Sequence, residues 1–313
     1  MSEIIIRTLL GSDLDSIVSI WNNALKRDPI SKGRFVRSIL GDADYQPGED
    51  SGFFVALMNK KPVGFLRAII RRWPNDRVGI EPDHGWIPVM GVDPEFQRKG
   101  IGTALVNKAL EYFKKHNRKK IFICGNTGSA PGYIFPGVDK DAYASALELF
   151  KKAGFVIDHE PVSMGRTLTD FDVDHFQKIA WESGSDVKIS TLTPEKVQNF
   201  MDFMANAFPG DWNIVARMKI KSGALQDILI AEIEDKIVGY CQWEGEHFGP
   251  FGVGEGARNK KVGAKLFTES VRRIRENDGR TVWFNWADED AARFYERFGL
   301  EVKRRFAILR KDL

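Results

Sequence analysis

Short apolar runs and longer amphipathic stretches alternate along this chain, and their spacing predicts its elements. Ile4–Ile6 reads as a strand, and Ser12 with Asp15 three residues later resembles a capping box opening a helix through about Leu25. Gly52–Met58 and Pro62–Ile70 read as strands joined by a tight turn at Asn59-Lys60-Lys61. Trp86–Val92 is a further strand, in which Pro88 cannot donate to a ladder and predicts a bulge or a local loss of pairing. From Gly100 to about His116, Ile101, Leu105, Ala109 and Phe113 recur at helical spacing. A strand at Lys120–Cys124, a Gly- and Pro-rich loop at Gly125–Lys140 and a helix at Ala142–Lys152 closed by Gly154 follow. Strands near Phe155–Asp158 and Val162–Leu168 complete the first half.

The second half repeats that order. Asp186–Ser190 is a strand, and Thr193 caps a helix with Pro194 at its first position and Val197, Phe200, Met201 and Met204 on one face. Ile228–Ile233 and Ile237–Trp243 form a hairpin around Glu234-Asp235, followed by a strand at Phe251–Val253 and a helix at Val262–Arg275. A strand at Thr281–Trp286, a helix at Glu289–Phe298 closed by Gly299, and a strand at Val302–Leu309 end the chain. Gly91-Val92 matches Gly252-Val253 at an offset of 161, and Lys152-Ala153-Gly154-Phe155 matches Arg297-Phe298-Gly299-Leu300 at an offset of 145. The difference of 16 equals an insertion in the first half, most simply Gly125–Lys140. One strand–helix–strand–helix unit therefore occurs twice, as α/β domains at 1–170 and 186–313, with 171–185, ending in Ser-Gly-Ser, as the linker.

A length of 313 residues agrees with two domains. The 43% hydrophobic and 28% charged content is that of a soluble globular chain. Cys124 and Cys241 are too few and too far apart for a disulfide framework, which points to a reducing, cytoplasmic setting. Glu3, Arg7, Asp13 and Asp15 interrupt any signal-peptide core, and the chain has no apolar run of membrane-spanning length. His116, His159 and His175 lack ligand spacing, so no metal is expected. A formal net charge of +3, with basic runs such as Arg71-Arg72 and Asn117-Arg118-Lys119-Lys120, does not make a nucleic-acid reader.

The chemistry concentrates between Val89 and Thr103, where a strand hands over to a helix through Gln97-Arg98-Lys99-Gly100-Ile101-Gly102. Two glycines one residue apart let the backbone approach a ligand, and the amides from Arg98 to Thr103 are helix-start donors at the positive end of a dipole. In physical terms this is a pyrophosphate site. A Walker loop is absent, and only two of the three glycines of a dinucleotide fingerprint are present.

The segment closely resembles the Gln/Arg-x-x-Gly-x-Gly/Ala acyl-CoA signature of the GCN5-related N-acetyltransferases, the GNAT superfamily, preceded here by Val92-Asp93-Pro94-Glu95. The resemblance implies two tandem domains, each a splayed mixed β-sheet flanked by helices. It implies acetyl-CoA as co-substrate, with Met90, Gly91, Val92, Gln97, Arg98, Lys99, Gly100, Ile101, Gly102 and Thr103 at the coenzyme. In particular, the Val92 backbone would pair with pantetheine. The second loop, Arg258-Asn259-Lys260-Lys261-Val262-Gly263, departs from the pattern at Lys261: either the longer side chain blocks the close approach and the coenzyme site has decayed, which is preferred, or its charge serves the phosphate from the side.

Acetyl transfer to an amine needs a positioned neutral amine, an oxyanion donor and an acid for the thiolate. The family's tyrosine acid corresponds to Tyr295 in the second half and to Phe150 in the first. Its strand-borne base corresponds to His247 and to Trp86. Three arrangements are open: the first half uses Tyr133 or Tyr143 as acid with Asp83 or His84 as proton acceptor; the second half is the catalyst through His247 and Tyr295; or the second half shapes the first half's acceptor pocket. The first is preferred.

Pro131-Gly132-Tyr133-Ile134-Phe135-Pro136-Gly137 makes two rigid turns with aromatic side chains between them, similar to loops of relatives associated with amino-sugar acceptors. The expected activity is acetyl transfer from acetyl-CoA to a primary amine of a small polar molecule, by direct attack in a ternary complex. The alternative is a non-catalytic acyl-CoA-binding module. A monomer and a homodimer are both open.

Overall fold

The computed structural model describes residues 3–75, 79–125, 131–181, 186–258 and 260–313. Residues 126–130 of the expected insertion, 182–185 of the expected linker and Asn259 of the second loop lie outside them.

The chain divides into two compact units. One runs to Pro161 and takes back Arg304–Leu313; the other is Val162–Lys303. In the first, strands β1 (Ile5–Thr8), β2 (Phe53–Met58), β3 (Lys61–Ile69), β4 (His84–Val92), β5 (Lys120–Ile123), β6 (Val138–Asp139) and β7 (Val156–His159) alternate with helices. These helices are α1 (Leu14–Ala24), α2 (Lys32–Phe35), α3 (Ile101–Lys115) and α4 (Ala144–Lys152). The second unit holds β8 (Val162–Thr167), β9 (Lys188–Thr191), β10 (Ile228–Ile233), β11 (Lys236–Glu244), β12 (His247–Val253) and β13 (Thr281–Ala287). Its helices are α5 (Val173–Trp181), α6 (Val197–Ala207), α7 (Asp211–Lys221), α8 (Val262–Glu276) and α9 (Glu289–Glu296). The chain ends in β14 (Glu301–Asp312).

β1 to β4 form an antiparallel meander, β4 then pairs in parallel with β5, and the returning β14 pairs antiparallel with β5, β6 and β7. Two cores cover the two faces of this sheet. On one, Leu105, Ala109 and Phe113 of α3 pack against Leu66, Ala68 and Ile87. On the other, Ile17, Ile20 and Trp21 of α1 pack against Phe53, Val55, Phe65 and Val89. The register shift between Arg67 and Ile69, opposite Val89 and Trp86, is the irregularity that Pro88 predicts. The second unit orders its sheet β8-β13-β12-β11-β10-β9, with β12 and β13 parallel.

Three expectations are corrected. The units do not part at 171–185: Val173–Trp181 is helical, and Phe176 packs on Phe298 at 5.2 Å. β8 pairs with β13, Thr167 opposite Thr281, rather than with the first half, while the last strand leaves the second half to pair with β5 from Leu309 to Asp312. Periodicity identifies a strand but does not choose its partner. Finally, the α1 entry is held by Asp13, whose carboxylate accepts from Leu10 N at 2.8 Å and pairs with Arg7, rather than by Ser12 and Asp15.

Among the described residues no helix is long and apolar enough to cross a membrane. No group of three or more His, Cys, Asp or Glu among them is placed to hold a metal ion.

Candidate active site

β4 and β5 run side by side only from His84 opposite Lys120 to Ile87 opposite Ile123. Cys124 N makes the final bond, to Ile87 O at 2.8 Å, and β5 stops while β4 continues to Val92 along β3. β14 meets β5 only from Leu309 onward. The strands therefore diverge, and the gap is the middle of a cleft of about 400 Å3. One end is lined by Gln97, Arg98, Gly100, Gly102, Thr103 and α4; the other by Ala24, Leu25, Phe135, Tyr143 and Arg304.

The loop at the first end is built from β4 forward. Asp93 N donates back to Val63 O at 2.9 Å, so Val92 turns its own main-chain groups away from β3, toward the gap. Gln97 Nε2 donates to Val92 O at 3.0 Å, which ties the loop to the strand and already occupies one lone pair of the carbonyl expected at pantetheine. Arg98 and Gly100 take left-handed backbone, φ +62° and +85°. The first helical bond of α3 is Ala104 N to Gly100 O, 2.9 Å, so the amides before it have no helical acceptor. A Cβ on Gly100 would meet nothing within 4 Å, whereas one on Gly102 would stand 3.0 Å from Leu149 Cδ2. Gly100 is thus a conformational requirement, and Gly102 a requirement of close α3–α4 packing.

Of the expected coenzyme residues, Met90, Gly91, Val92, Gln97, Arg98, Gly100, Gly102 and Thr103 line the cleft. Two do not. Lys99 turns back to Glu95 O at 3.0 Å, and Ile101 is buried in the core.

At the opposite end lies a charged cluster that pattern reading does not find. Arg304 donates to both Asp28 oxygens, at 2.6 and 2.7 Å, and through Nε to Asp139 Oδ2 at 2.7 Å. Tyr143 donates its hydroxyl to Asp28 Oδ2 at 2.6 Å. Asp139 is fully buried and also accepts from the Asp141 and Ala142 amides, at 3.0 and 2.9 Å, which fixes the turn into α4 and so the place of Tyr143. Asp28 is fixed by its backbone, whose carbonyl accepts from Trp21 Nε1 at 2.9 Å. Burial opposes the Asp139 charge, but the Ala142 amide and Arg304 outweigh it and hold its pKa below the usual carboxylate range. Burial, then the bond to Asp28, raises the Tyr143 pKa, so this phenol stays protonated. Burial also lifts the Cys124 thiol, which lines the cleft, to about 12. Asp28 and Arg304 stand 276 residues apart in sequence, and no local motif announces such a pair.

The remaining candidates lie elsewhere. His84 is off the cleft lining, its Nδ1 3.0 Å from Glu81 Oε1 and its ring edge-on to Trp86 and Phe122. Asp83 receives the Lys119 and Lys120 amides on its carbonyl. Tyr133 also misses the cleft lining; its surface is about half exposed, while burial around the hydroxyl raises its pKa. Phe150 lines the cleft where the family tyrosine was expected, and Trp86 is fully buried.

In the second unit the same framework is filled. Lys261 takes left-handed backbone, φ +57°, at the start of α8. Phe251 and Phe294 stack at 5.9 Å, and a Cβ on Gly263 would lie 3.3 Å from the former and 3.6 Å from the latter. Tyr295 is buried among Phe248, Phe251, Phe267, Phe284 and Phe294, and burial raises its pKa well above the usual value. His247 packs at 4.6 Å on Trp283, and burial lowers its pKa.

Comparison with known proteins matches the Acetyltransferase (GNAT) family model at residues 19–134 and the Acetyltransferase (GNAT) domain model at 224–302. An uncharacterised N-acetyltransferase of Methanocaldococcus jannaschii is 36% identical over 34% of this chain and 40% of its own length. A mycothiol acetyltransferase of Amycolatopsis mediterranei is 27% identical over 50% of this chain and 47% of its own. The match thus spans less than half of each of these curated relatives. Among solved structures, the GCN5-related glucosamine N-acetyltransferase region of a fungal multi-domain β-N-acetylglucosaminidase aligns with a TM-score of 0.81 at 19% identity, over 99% of this chain and 38% of that one. A tandem GNAT protein of the clavulanic acid pathway aligns at 0.62 and 16%, over 99% and 98%.

Proposed function

The chain belongs to the GCN5-related N-acetyltransferase family as a tandem member, and from that premise we propose that its first unit transfers acetyl from acetyl-CoA to a primary amine of a small polar molecule. The observation that carries this reading is the cleft, which joins the Arg98–Thr103 segment, whose amides have no helical acceptor, to a polar end at Tyr143 and Arg304. The pyrophosphate would lie on the amides and the pantetheine arm in the gap beside β4, which brings the thioester toward Tyr143. The amine nitrogen attacks the thioester carbonyl in a ternary complex, the C–S bond breaks, and the thiolate leaves to become free thiol. Main-chain N–H groups of β4 that face the gap are the available oxyanion donors. Holding the two reactants together supplies much of the acceleration.

The second unit is proposed not to bind coenzyme, because Phe251 and Phe294 stack beside the start of α8. Since the glucosamine region takes its name from an amino sugar, amino sugars are the first acceptors to try.

Calorimetry with acetyl-CoA tests the site. Saturable binding is expected for the wild type and none for Gly100→Trp, whose side chain meets no neighbour but whose left-handed backbone costs about 1 kcal/mol, so thermal unfolding is read alongside. Equal affinity for both proteins overturns the assignment. Phe150, in place of the tyrosine, favours one second reading, a coenzyme-binding module without turnover. That reading requires binding without thiol release across an amine panel.

A further inference from the structure

The acceptor end of the cleft is organised by the donors and acceptors that its charge cluster leaves unused. A tyrosine hydroxyl has one hydrogen and two lone pairs. Tyr143 gives its hydrogen to Asp28 Oδ2 at 2.6 Å. Asp28 also receives two bonds from Arg304, so its charge is held in a bidentate pair. Turning the Tyr143 hydrogen toward the cleft would leave a half-buried carboxylate one partner short, which is costly. The Tyr143 oxygen therefore offers the cleft acceptance only. Arg304 has five N–H groups, of which Asp28 and Asp139 take three, and two remain. Tyr143 and Arg304 line the cleft, whereas Asp28 and Asp139 stand behind them.

A hydrogen-bond acceptor beside a hydrogen-bond donor fits a molecule carrying the opposite pair. We propose that this end of the cleft reads a vicinal amino alcohol, its ammonium docking on the Tyr143 oxygen and its neighbouring hydroxyl oxygen accepting from Arg304. Asp28 is then a positioning residue that acts through Tyr143, and Arg304 a specificity residue. This rests on the acetyl-transfer reading above and names its acceptor class. The chemistry balances: the docked ammonium loses one proton to solvent, and the amine nitrogen forms the C–N bond as C–S breaks. The second nitrogen proton accompanies the change from thiolate to thiol.

The experiment measures thiol release from acetyl-CoA with ethanolamine and with propylamine as probes, alongside calorimetric binding of acetyl-CoA. For the wild type, kcat/KM is expected to favour ethanolamine by roughly 10-fold or more, about the worth of one hydrogen bond to a charged group. Tyr143→Phe should raise KM for both amines roughly 10- to 100-fold and leave acetyl-CoA affinity unchanged. With propylamine, which has no hydroxyl for Arg304 to read, Asp28→Asn should act similarly alone yet add nothing to Tyr143→Phe, because its effect on that probe passes through the missing oxygen. A stability loss alone would add in that double variant. Arg304→Lys, which keeps the charge between Asp28 and Asp139 but not the planar fork, should erase the preference for ethanolamine. Additive losses in the double variant, or equal use of the two probes by the wild type, overturn the proposal. Acetyl-CoA binding without thiol release from either probe overturns it too, leaving the coenzyme site intact. Absence of acetyl-CoA binding instead removes the acetyl-transfer reading at its first step.

Discussion

Gly100 and Lys261 open the first helix after the loop in their respective units, and both take left-handed backbone. Glycine adopts it without strain, while lysine keeps a Cβ there at a cost of about 1 kcal/mol. Lys261→Gly is accordingly expected to raise stability by up to about 1 kcal/mol, offset in part by the freer unfolded chain, without creating coenzyme binding. Thermal unfolding and calorimetry read the two effects separately. His247 offers a second test. Burial lowers its folded pKa below 6.5, so between that value and the lowered one the unfolded chain binds more protons. Its contribution to stability is fully present above about pH 6.5 and declines as the pH falls through the folded value; His247→Gln should flatten that part of the pH–stability curve. No flattening would mean that His247 does not carry the acid sensitivity.

Among the elements, the two loop-plus-helix units share a pattern and differ in what fills the space beside it. Met90 and Leu149 flank Gly102 and the cleft in the first unit, and Phe251 and Phe294 approach Gly263 in the second. One acetyl-CoA per chain is therefore expected by calorimetry, and two would show that the second loop still takes coenzyme. Phe294→Ala should cost on the order of 3 kcal/mol by leaving a cavity in the aromatic cluster, read by denaturant unfolding. Three helices escaped the pattern reading: α2, at four residues, is too short to show a period, and the other two have causes of their own. α7 leaves Trp212, Ile214, Val215 and Met218 exposed, so its apolar residues do not mark a buried face. α5 is short, and of its buried anchors Phe171 lies before the first turn, Val173 opens it and Ala180 is too small to mark an apolar face.

For the molecule as a whole, the last strand matters most. Residues 306–312 lie against β5, β6 and β7 and carry Ala307 and Leu309 into the core beneath the cleft, while Arg304 lines the cleft itself. Removing 304–313 should expose the edge of β5, strip two buried residues from that core and abolish acetyl-CoA binding. A truncated chain that still bound coenzyme with unchanged affinity would show the strand to be dispensable.

The duplicated order of elements, the left-handed loop between β4 and α3 and its single glycine difference between the halves were legible in local spacing, because helix and strand periods and left-handed turns are set by neighbouring residues. Even the filled second site was half visible, as Lys261 in place of glycine. The strand exchange, the Asp28–Arg304–Asp139–Tyr143 cluster and the removal of His84 and Tyr133 from the cleft were not. Those outcomes depend on which strand pairs with which and on side chains brought together from opposite ends of the chain. Such contacts are chosen by the packing of whole sheets and cores, and leave no period in the sequence to read.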